Sequence, residues 1–196
     1  MVQLTTTSVS CWAFTYASEA FRMPASLAAM IPGSFYAAST VARLFIAPAT
    51  VKFRPSAIMH LGVLVTLVAA VAFYALDGHV AALLAGGADA SRAVAFAPLL
   101  VACFMAMGAG GSPHFSLMLA AMQEHGDLAP QHHGWYGTST CLGITMGMWL
   151  PGVIRLPVVE LAGATCLFLM INSCSRDFPR LARVEQNVCA VKSSEP

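Results

Sequence analysis

Apolar residues form long blocks along this chain, and short polar or basic segments separate the blocks. A helix needs ~20 mostly apolar residues to cross the hydrocarbon core of a bilayer. A block over 8–21 is too short to span and predicts a partial N-terminal helix. We therefore predict an all-α fold, a polytopic transmembrane helix bundle over 1–175, followed by a polar tail over 176–196. The five full spans are predicted at 27–51, 57–76, 93–121, 134–154 and 158–174.

The composition agrees with a chain that lies in a bilayer. Hydrophobic residues make up 58% of the sequence and charged residues only 10%, whereas soluble domains carry ~25% charged residues. The formal net charge is +1, which excludes the broad basic surface that binds nucleic acid. We expect a multi-pass integral membrane protein whose main partner is the lipid bilayer and which binds no nucleic acid.

Basic residues in the polar segments predict an orientation. Successive segments lie on alternating sides of the membrane, and the side richer in Lys and Arg is normally cytoplasmic. The segment after the first full span carries Lys52 and Arg54, and the tail adds further basic residues on the same side. We therefore predict a cytoplasmic C-terminus and an outer position for the polar connection over 77–92. The basic residues of the outer side are Arg22, Arg92 and Arg155.

Arg43 is the only formally charged residue between Met30 and Val51. A charge inside a membrane span is costly and normally faces a protein interior or a water-filled path. Lys52 lies ~13 Å further along the helix, so the Arg43 side chain does not easily reach the interface. Two interpretations follow. Arg43 binds an anionic substrate, a carbonyl cluster or a gating partner, or it caps neighbouring helix ends and locks an inner gate.

His114 follows a Gly110-Gly-Ser-Pro113 segment inside the third full span. Pro113 lacks a backbone donor and frees a carbonyl upstream, and irregular backbone at membrane depth survives only beside protein or a cavity. His114 can donate to that backbone or to a substrate, or carry a proton. The alternative is a histidine that is satisfied locally near the interface. Arg43 falls in the same cytoplasmic third of its own span, so we predict a shared inner polar cluster.

Other polar and small residues inside the spans are further candidates. Gly143 and Gly147 form a GxxxG pattern, which permits close approach of two membrane helices. We favour packing within the chain at these glycines over a homodimer contact. Glu160 follows Pro157 and suits the positive end of a helix. The candidates for lining a cavity, or for the interfacial belt where tyrosine is common, are Tyr16, Tyr36, Ser39 and Thr40.

No motif in the sequence indicates an enzyme. A serine hydrolase needs a nucleophile elbow such as GxSxG, and neither that pattern nor a Walker loop or dinucleotide fingerprint occurs. His125, His132 and His133 share a polar segment with Glu124 and Asp127. Their spacing is not that of a zinc site, and a solvated loop is favoured over the alternative of a small membrane enzyme that binds a metal there. We expect no enzymatic activity, no bound metal and no cofactor.

The segment FYAASTVARLFIAPATVKFRPSAIM resembles the eighth helix of major facilitator superfamily transporters and the basic turn after it. The resemblance lies in Arg43-Leu44, in Ala47-Pro48 and in the turn over 52–55. The superfamily motif carries Asp and Gly in this turn, where Val51 and Arg54 stand here. Two further segments, GAGGSPHFSLMLAAMQEH and GWYGTSTCLGITMGMWLPGVI, resemble the glycine-rich tenth helix and the eleventh helix.

Together these segments are similar to the C-terminal six-helix half of such a transporter, and the pattern at 12–17 is similar to the sodium-dependent glucose transporter-like branch. The resemblance implies transport of a small solute such as a sugar, with Arg43 anchoring the inner gate and His114 beside it. Superfamily transporters hold the substrate near the midplane between two repeats. We therefore expect an incomplete half of a transporter. The alternative is a truncated membrane protein that does not transport, or a half that must pair with another chain, which is a second six-helix half or a second copy in a homodimer.

Overall fold

The computed structural model describes residues 2–53, 55–87, 90–124 and 130–175. These residues form eight α-helices and no strand, which confirms the all-α prediction for the part of the chain that is described. The predicted tail over 176–196 lies outside the described residues. In chain order the helices are α1 Val2–Glu19, α2 Ala25–Ala28, α3 Met30–Lys52, α4 Pro55–Ala85, α5 Ala90–Val94, α6 Ala97–Glu124, α7 Pro130–Val153 and α8 Leu156–Ser175.

Three helical segments of the described chain are long and apolar enough to cross a membrane. They are Ala25–Thr50 in α2 and α3, Ala57–Ala85 in α4, and Ser91–Ser112 in α5 and α6. The apolar parts of α7 and α8 are shorter, at Cys141–Val153 and Leu156–Leu169. By length and composition, the structure thus supports a membrane protein with three candidate spans, and the prediction of five full spans is not confirmed.

Helix α4 continues well beyond the predicted end of its span. The sequence pattern predicted a polar connection over 77–92, because Asp77 interrupts the apolar run. Asp77 lies instead within the helix and is only 5% exposed, which is tolerated because the carboxylate has hydrogen-bonding and charged partners. The helix ends at Ala85, and the chain turns at Gly87 with a φ of +78°, a left-handed conformation that costs glycine little.

Helix α6 lies between α3 and α4 and contacts both through glycines. A methyl group on Gly108 would lie 3.0 Å from the carbonyl carbon of Phe35 in α3. On the other side of α6, a methyl group on Gly110 would lie 2.6 Å from the carbonyl oxygen of Gly62 in α4. Both distances are shorter than van der Waals contact, so glycine is what lets the three backbones approach this closely.

Helices α1 and α7 pack side by side, whereas α8 packs mainly on α4. The indole Nε1 of Trp12 in α1 donates a hydrogen bond of 2.8 Å to the Met148 carbonyl of α7. Gly152, one turn further along α7, leaves room for the same indole, since a methyl group there would lie 3.1 Å from the ring. The described chain thus has a central α3–α6–α4 group, α8 against α4, and an α1–α7 pair beside them.

An aromatic cluster fills the core where α1, α4 and α6 meet. The ring of Phe73 in α4 lies edge-on to Tyr16 in α1 and to Phe104 in α6, with centroid separations of 5.8 and 5.0 Å. Phe21, just after α1, packs on the other side of Tyr16 at 6.0 Å. Tilted and edge-to-face pairs are the favourable arrangement for aromatic rings. This packing holds the hydroxyl of Tyr16 next to Asp77.

Candidate functional site

Arg43 lies on an exposed side of α3, beside the face of the helix that is buried. Gly33, Tyr36, Thr40 and Arg43 are all exposed and follow one another at intervals of three or four residues, which places them along one side of the helix. We call these four residues the α3 polar stripe. Leu44, which follows Arg43, is 71% exposed and belongs to the apolar surface beside the stripe. The buried residues of α3 include Ile31, Phe35 and Ser39.

The α3 polar stripe runs beside the first half of α1. The Tyr36 hydroxyl donates a long hydrogen bond of 3.5 Å to the Thr6 carbonyl of α1, and the Thr40 hydroxyl donates to the Tyr36 carbonyl at 2.9 Å. Arg43 lies ~10 Å further along α3 than Tyr36. The stripe therefore presents two hydroxyls and one guanidinium on a continuous surface within the Ala25–Thr50 candidate span.

His114 is buried in α6, with only 2% of its surface exposed. It follows Gly110 by one helical turn and so lies on the α6 face that contacts α4. Neither ring nitrogen is in hydrogen-bonding geometry with a described group, although the Gly110 carbonyl is close enough to act on the ring. His114 is therefore a buried polar side chain whose neighbour among the described polar groups is the Gly110 carbonyl.

Arg43 and His114 lie at similar levels of the bundle but do not meet. The Ser112 hydroxyl donates a 3.0 Å hydrogen bond to the Ser39 carbonyl, which sets the register of the parallel helices α3 and α6. In that register Arg43 and His114 differ in level by ~3 Å. Arg43 is exposed on α3, whereas His114 is buried on the α4 side of α6. The predicted shared inner cluster is therefore not formed by these two side chains, and Ser39 lies in the α3–α6 contact.

A second polar site joins three helices and lies at the end of the bundle that the charge pattern assigns to the outer side. The Tyr16 hydroxyl of α1 donates a hydrogen bond to the Asp77 carboxylate of α4. Nη1 of Arg155 lies 3.4 Å from Oδ2 of Asp77, and Nη2 lies 3.5 Å from Oδ1. The Asp77 side chain is 7% exposed and that of Arg155 is 58% exposed. We call Tyr16, Asp77 and Arg155 the outer cluster.

Arg155 occupies the turn between α7 and α8. Its carbonyl accepts hydrogen bonds from the backbone N–H groups of Val158 at 3.0 Å and Val159 at 3.3 Å, so its backbone is fixed to the first turn of α8. Its side chain reaches Asp77 in α4, and Asp77 in turn accepts the hydroxyl of Tyr16 in α1. The outer cluster therefore joins α1, α4 and the α7–α8 turn.

Asp77 and Glu160 are buried carboxylates whose burial the sequence interpretation missed. The sequence pattern predicts a polar connection at Asp77 and a helix start at Glu160, yet the two residues are 5% and 1% exposed. The available signal for Asp77 was the apolar segment HVAALLA, which resumes two residues later. For Glu160 the signal was a carboxylate flanked on both sides by apolar residues of the same predicted span.

Gly143 and Gly147 are both buried in α7, and α7 packs mainly on α1. The next residue, Met148, accepts the hydrogen bond from Trp12 of α1. Trp149 is 72% exposed and marks the opposite side of α7. The two glycines of the GxxxG pattern are therefore buried within the described structure, and packing within the chain at these positions stays a prediction.

The described residues contain no group of three or more His, Cys, Asp or Glu side chains that could hold a metal ion. The histidines and carboxylates of the predicted polar loop are not included in this statement. His125 and Asp127 lie outside the described residues, as do the side chains of Glu124, His132 and His133. The α3 polar stripe, His114 and the outer cluster offer hydrogen bonding and charge.

The chain was compared with models of protein families, with curated proteins and with solved structures. None of the three comparisons finds a match.

Proposed function

We propose that this chain takes part in the transport of a small polar solute across a membrane, with the α3 polar stripe on the solute path. The observation that carries the proposal is the exposure of Arg43 within the Ala25–Thr50 candidate span. A guanidinium facing hydrocarbon costs from ~3 to more than 10 kcal/mol at mid-span, and Arg43 lies ~10 Å inside the end of the span, where a smaller part of that cost applies. A surface that carries such a charge faces water or another protein instead, and hydroxyls beside it suit a hydrogen-bonding solute.

The dimensions of the stripe agree with this role. Gly33 and Arg43 are separated by ~15 Å along the helix axis, which is about half of the ~30 Å hydrocarbon core. A solute moving along α3 from Gly33 would meet Tyr36 and Thr40 before the guanidinium of Arg43. The resemblance to major facilitator transporters supports the same placement, since those proteins hold substrate near the midplane. It also suggests a solute such as a sugar.

Solute uptake into proteoliposomes tests the proposal. The purified chain would be reconstituted and the uptake of radiolabelled glucose and of glycerol measured, with and without a sodium gradient. Arg43→Ala should reduce uptake at least tenfold. Leu44→Ala is the matched control, because this neighbouring side chain is 71% exposed and points ~100° away around the helix. Uptake by Arg43→Ala equal to that of Leu44→Ala, at equal reconstitution, would refute the role of the stripe.

Labelling of single cysteines tests whether the stripe faces water. Thr40→Cys lies on the stripe, whereas Val41→Cys lies beside it on a surface where Val41 is 51% exposed. A charged, membrane-impermeant thiol reagent should modify Thr40→Cys rapidly and Val41→Cys slowly. Equally slow labelling at both positions would show that water does not reach the stripe.

The same exposed charge favours one other candidate function, in which the stripe packs against a second six-helix bundle or a second copy of this chain. In that case Thr40→Cys would be protected from the reagent, and an oxidant or a bifunctional thiol cross-linker would join it to the partner. Protection together with cross-linking, and without uptake of either solute, would favour a membrane protein that pairs but does not transport.

A further inference from the structure

We propose that the outer cluster is a reversible clasp. When the Arg155–Asp77 pair separates, the α7–α8 turn moves away from α4 and water reaches Asp77 from the predicted outer side. The clasp involves none of the residues of the α3 polar stripe, and it stands whether or not the chain carries a solute.

The two contacts of Asp77 differ in strength and in access to water. The contact with the Tyr16 hydroxyl is partly buried, and the Tyr16 ring packs against the core residue Phe73. The contact with Arg155 is long, at 3.4 and 3.5 Å, and the arginine side chain is 58% exposed. Half-exposed ion pairs of this kind are weak, because water and salt compete for both charges. Arg155 is therefore the partner that releases Asp77 first.

Because of the position of Arg155 in the fold, its separation from Asp77 also moves the α7–α8 turn. Helix α7 packs mainly on α1 and α8 mainly on α4, so the turn that carries Arg155 connects two different packing groups. The Arg155 carbonyl holds the N–H groups of Val158 and Val159, and the turn therefore moves together with the start of α8. Leu156, the next residue, is 1% exposed in the closed arrangement and becomes accessible when the turn moves.

The charge of Asp77 favours the open arrangement once Arg155 is gone. A carboxylate that loses its counter-charge inside the protein gains free energy by reaching water. Removal of the guanidinium should therefore increase the fraction of open molecules. The Arg155 side chain is 58% exposed and that of Asp77 only 7%, so we take the upper end of the range for exposed ion pairs, about 1 kcal/mol, which corresponds to a change of about fivefold in that fraction.

Thiol accessibility in the full chain measures the opening. Leu156→Cys reports on the clasp, and Leu117→Cys, at a position 6% exposed in α6, reports on the rest of the bundle. Each would be combined with Arg155→Gln, Arg155→Lys or Arg92→Gln, and labelled with a charged methanethiosulfonate reagent. Labelling of the parent chain with its own cysteines is subtracted. Arg92 is an exposed arginine of α5 on the same predicted side and controls for loss of a positive charge.

We expect Arg155→Gln to accelerate labelling of Leu156→Cys about fivefold, with Arg155→Lys and Arg92→Gln close to the parent rate and Leu117→Cys unchanged. Unchanged labelling of Leu156→Cys in Arg155→Gln would overturn the clasp. Equal acceleration at both reporters would also overturn it, because that result means general loosening of the fold. If Leu156→Cys does not fold, the single variant Arg155→Gln is tested by hydrogen exchange instead. The exchange rate of backbone amides at the start of α8 should then rise, and the rate in α6 should not change.

Discussion

Replacing Gly108 with alanine should force α3 and α6 apart. The new methyl group would lie 3.0 Å from the carbonyl carbon of Phe35 and 3.2 Å from its Cα, where carbon atoms prefer ~3.5–4.0 Å. All of the opposing atoms belong to the backbone, so no change of rotamer can relieve the overlap. The two helices must separate locally. The hydrogen bond from Ser112 to the Ser39 carbonyl, 3.0 Å long and one turn further on, would lengthen with them.

The expected loss of stability is large for a single methyl group. Overpacking of a well-packed site typically costs ~1–3 kcal/mol, and a contact between two backbones belongs at the upper end of that range. A loss of ~3 kcal/mol lowers the ratio of folded to unfolded molecules by about a hundredfold.

Gly111→Ala is the matched control, since a methyl group at Gly111 meets nothing within 4 Å. Alanine is favoured over glycine inside a helix by up to ~1 kcal/mol, so this variant should be as stable as the parent or slightly more stable. Both variants would be unfolded in mixed micelles with increasing SDS, and the fluorescence of the three tryptophans followed. Equal free energies of unfolding for Gly108→Ala and Gly111→Ala would refute the close backbone contact between α3 and α6.

Three further substitutions test other contacts. Tyr16→Phe removes a donor from the buried Asp77 carboxylate and should lower the free energy of unfolding by ~2 kcal/mol in the same SDS titration; a loss under ~0.5 kcal/mol would contradict a buried contact. Ser112→Ala removes a neutral hydrogen bond to Ser39 and should lower the free energy of unfolding by ~1 kcal/mol. An unchanged unfolding midpoint would contradict this contact. Gly147→Leu should destabilise the chain by ~1–3 kcal/mol through overpacking, and analytical ultracentrifugation should show the oligomeric state of the parent. A shift from dimer to monomer at unchanged stability would place this glycine in a dimer contact instead.

The course of the helices could be predicted to the extent that it follows from local hydropathy. The apolar run predicted a span over 27–51, and α3 extends over Met30–Lys52. The continuation of α4 past Asp77 could not be predicted in the same way, because the partners that stabilise this carboxylate are 61 and 78 residues away in the sequence. A window of neighbouring residues shows Asp77 only as a break in the apolar pattern.

The depth of a polar residue along its helix was easier to predict than the face of the helix on which it lies. Counting residues along two helices placed Arg43 and His114 at a similar depth, and the Ser112–Ser39 contact agrees with that depth. The direction of each side chain depends on which neighbour each face of the helix contacts. That depends on the glycines of α6, whose close contacts with α3 and α4 direct His114 towards α4 and leave Arg43 exposed.

The two glycine contacts of α6 have a consequence for the substitutions that the chain can accept. Residues two apart in a helix point ~200° from each other, so a methyl group at Gly108 would meet α3 and one at Gly110 would meet α4, whereas one at Gly111 would meet nothing within 4 Å. A saturation scan should therefore find positions 108 and 110 intolerant of every side chain, with a tolerant position directly after them. Two intolerant positions separated by one residue are the signature normally expected of one face of a β-strand. In this helix the same signature would come from a backbone held between two neighbouring backbones.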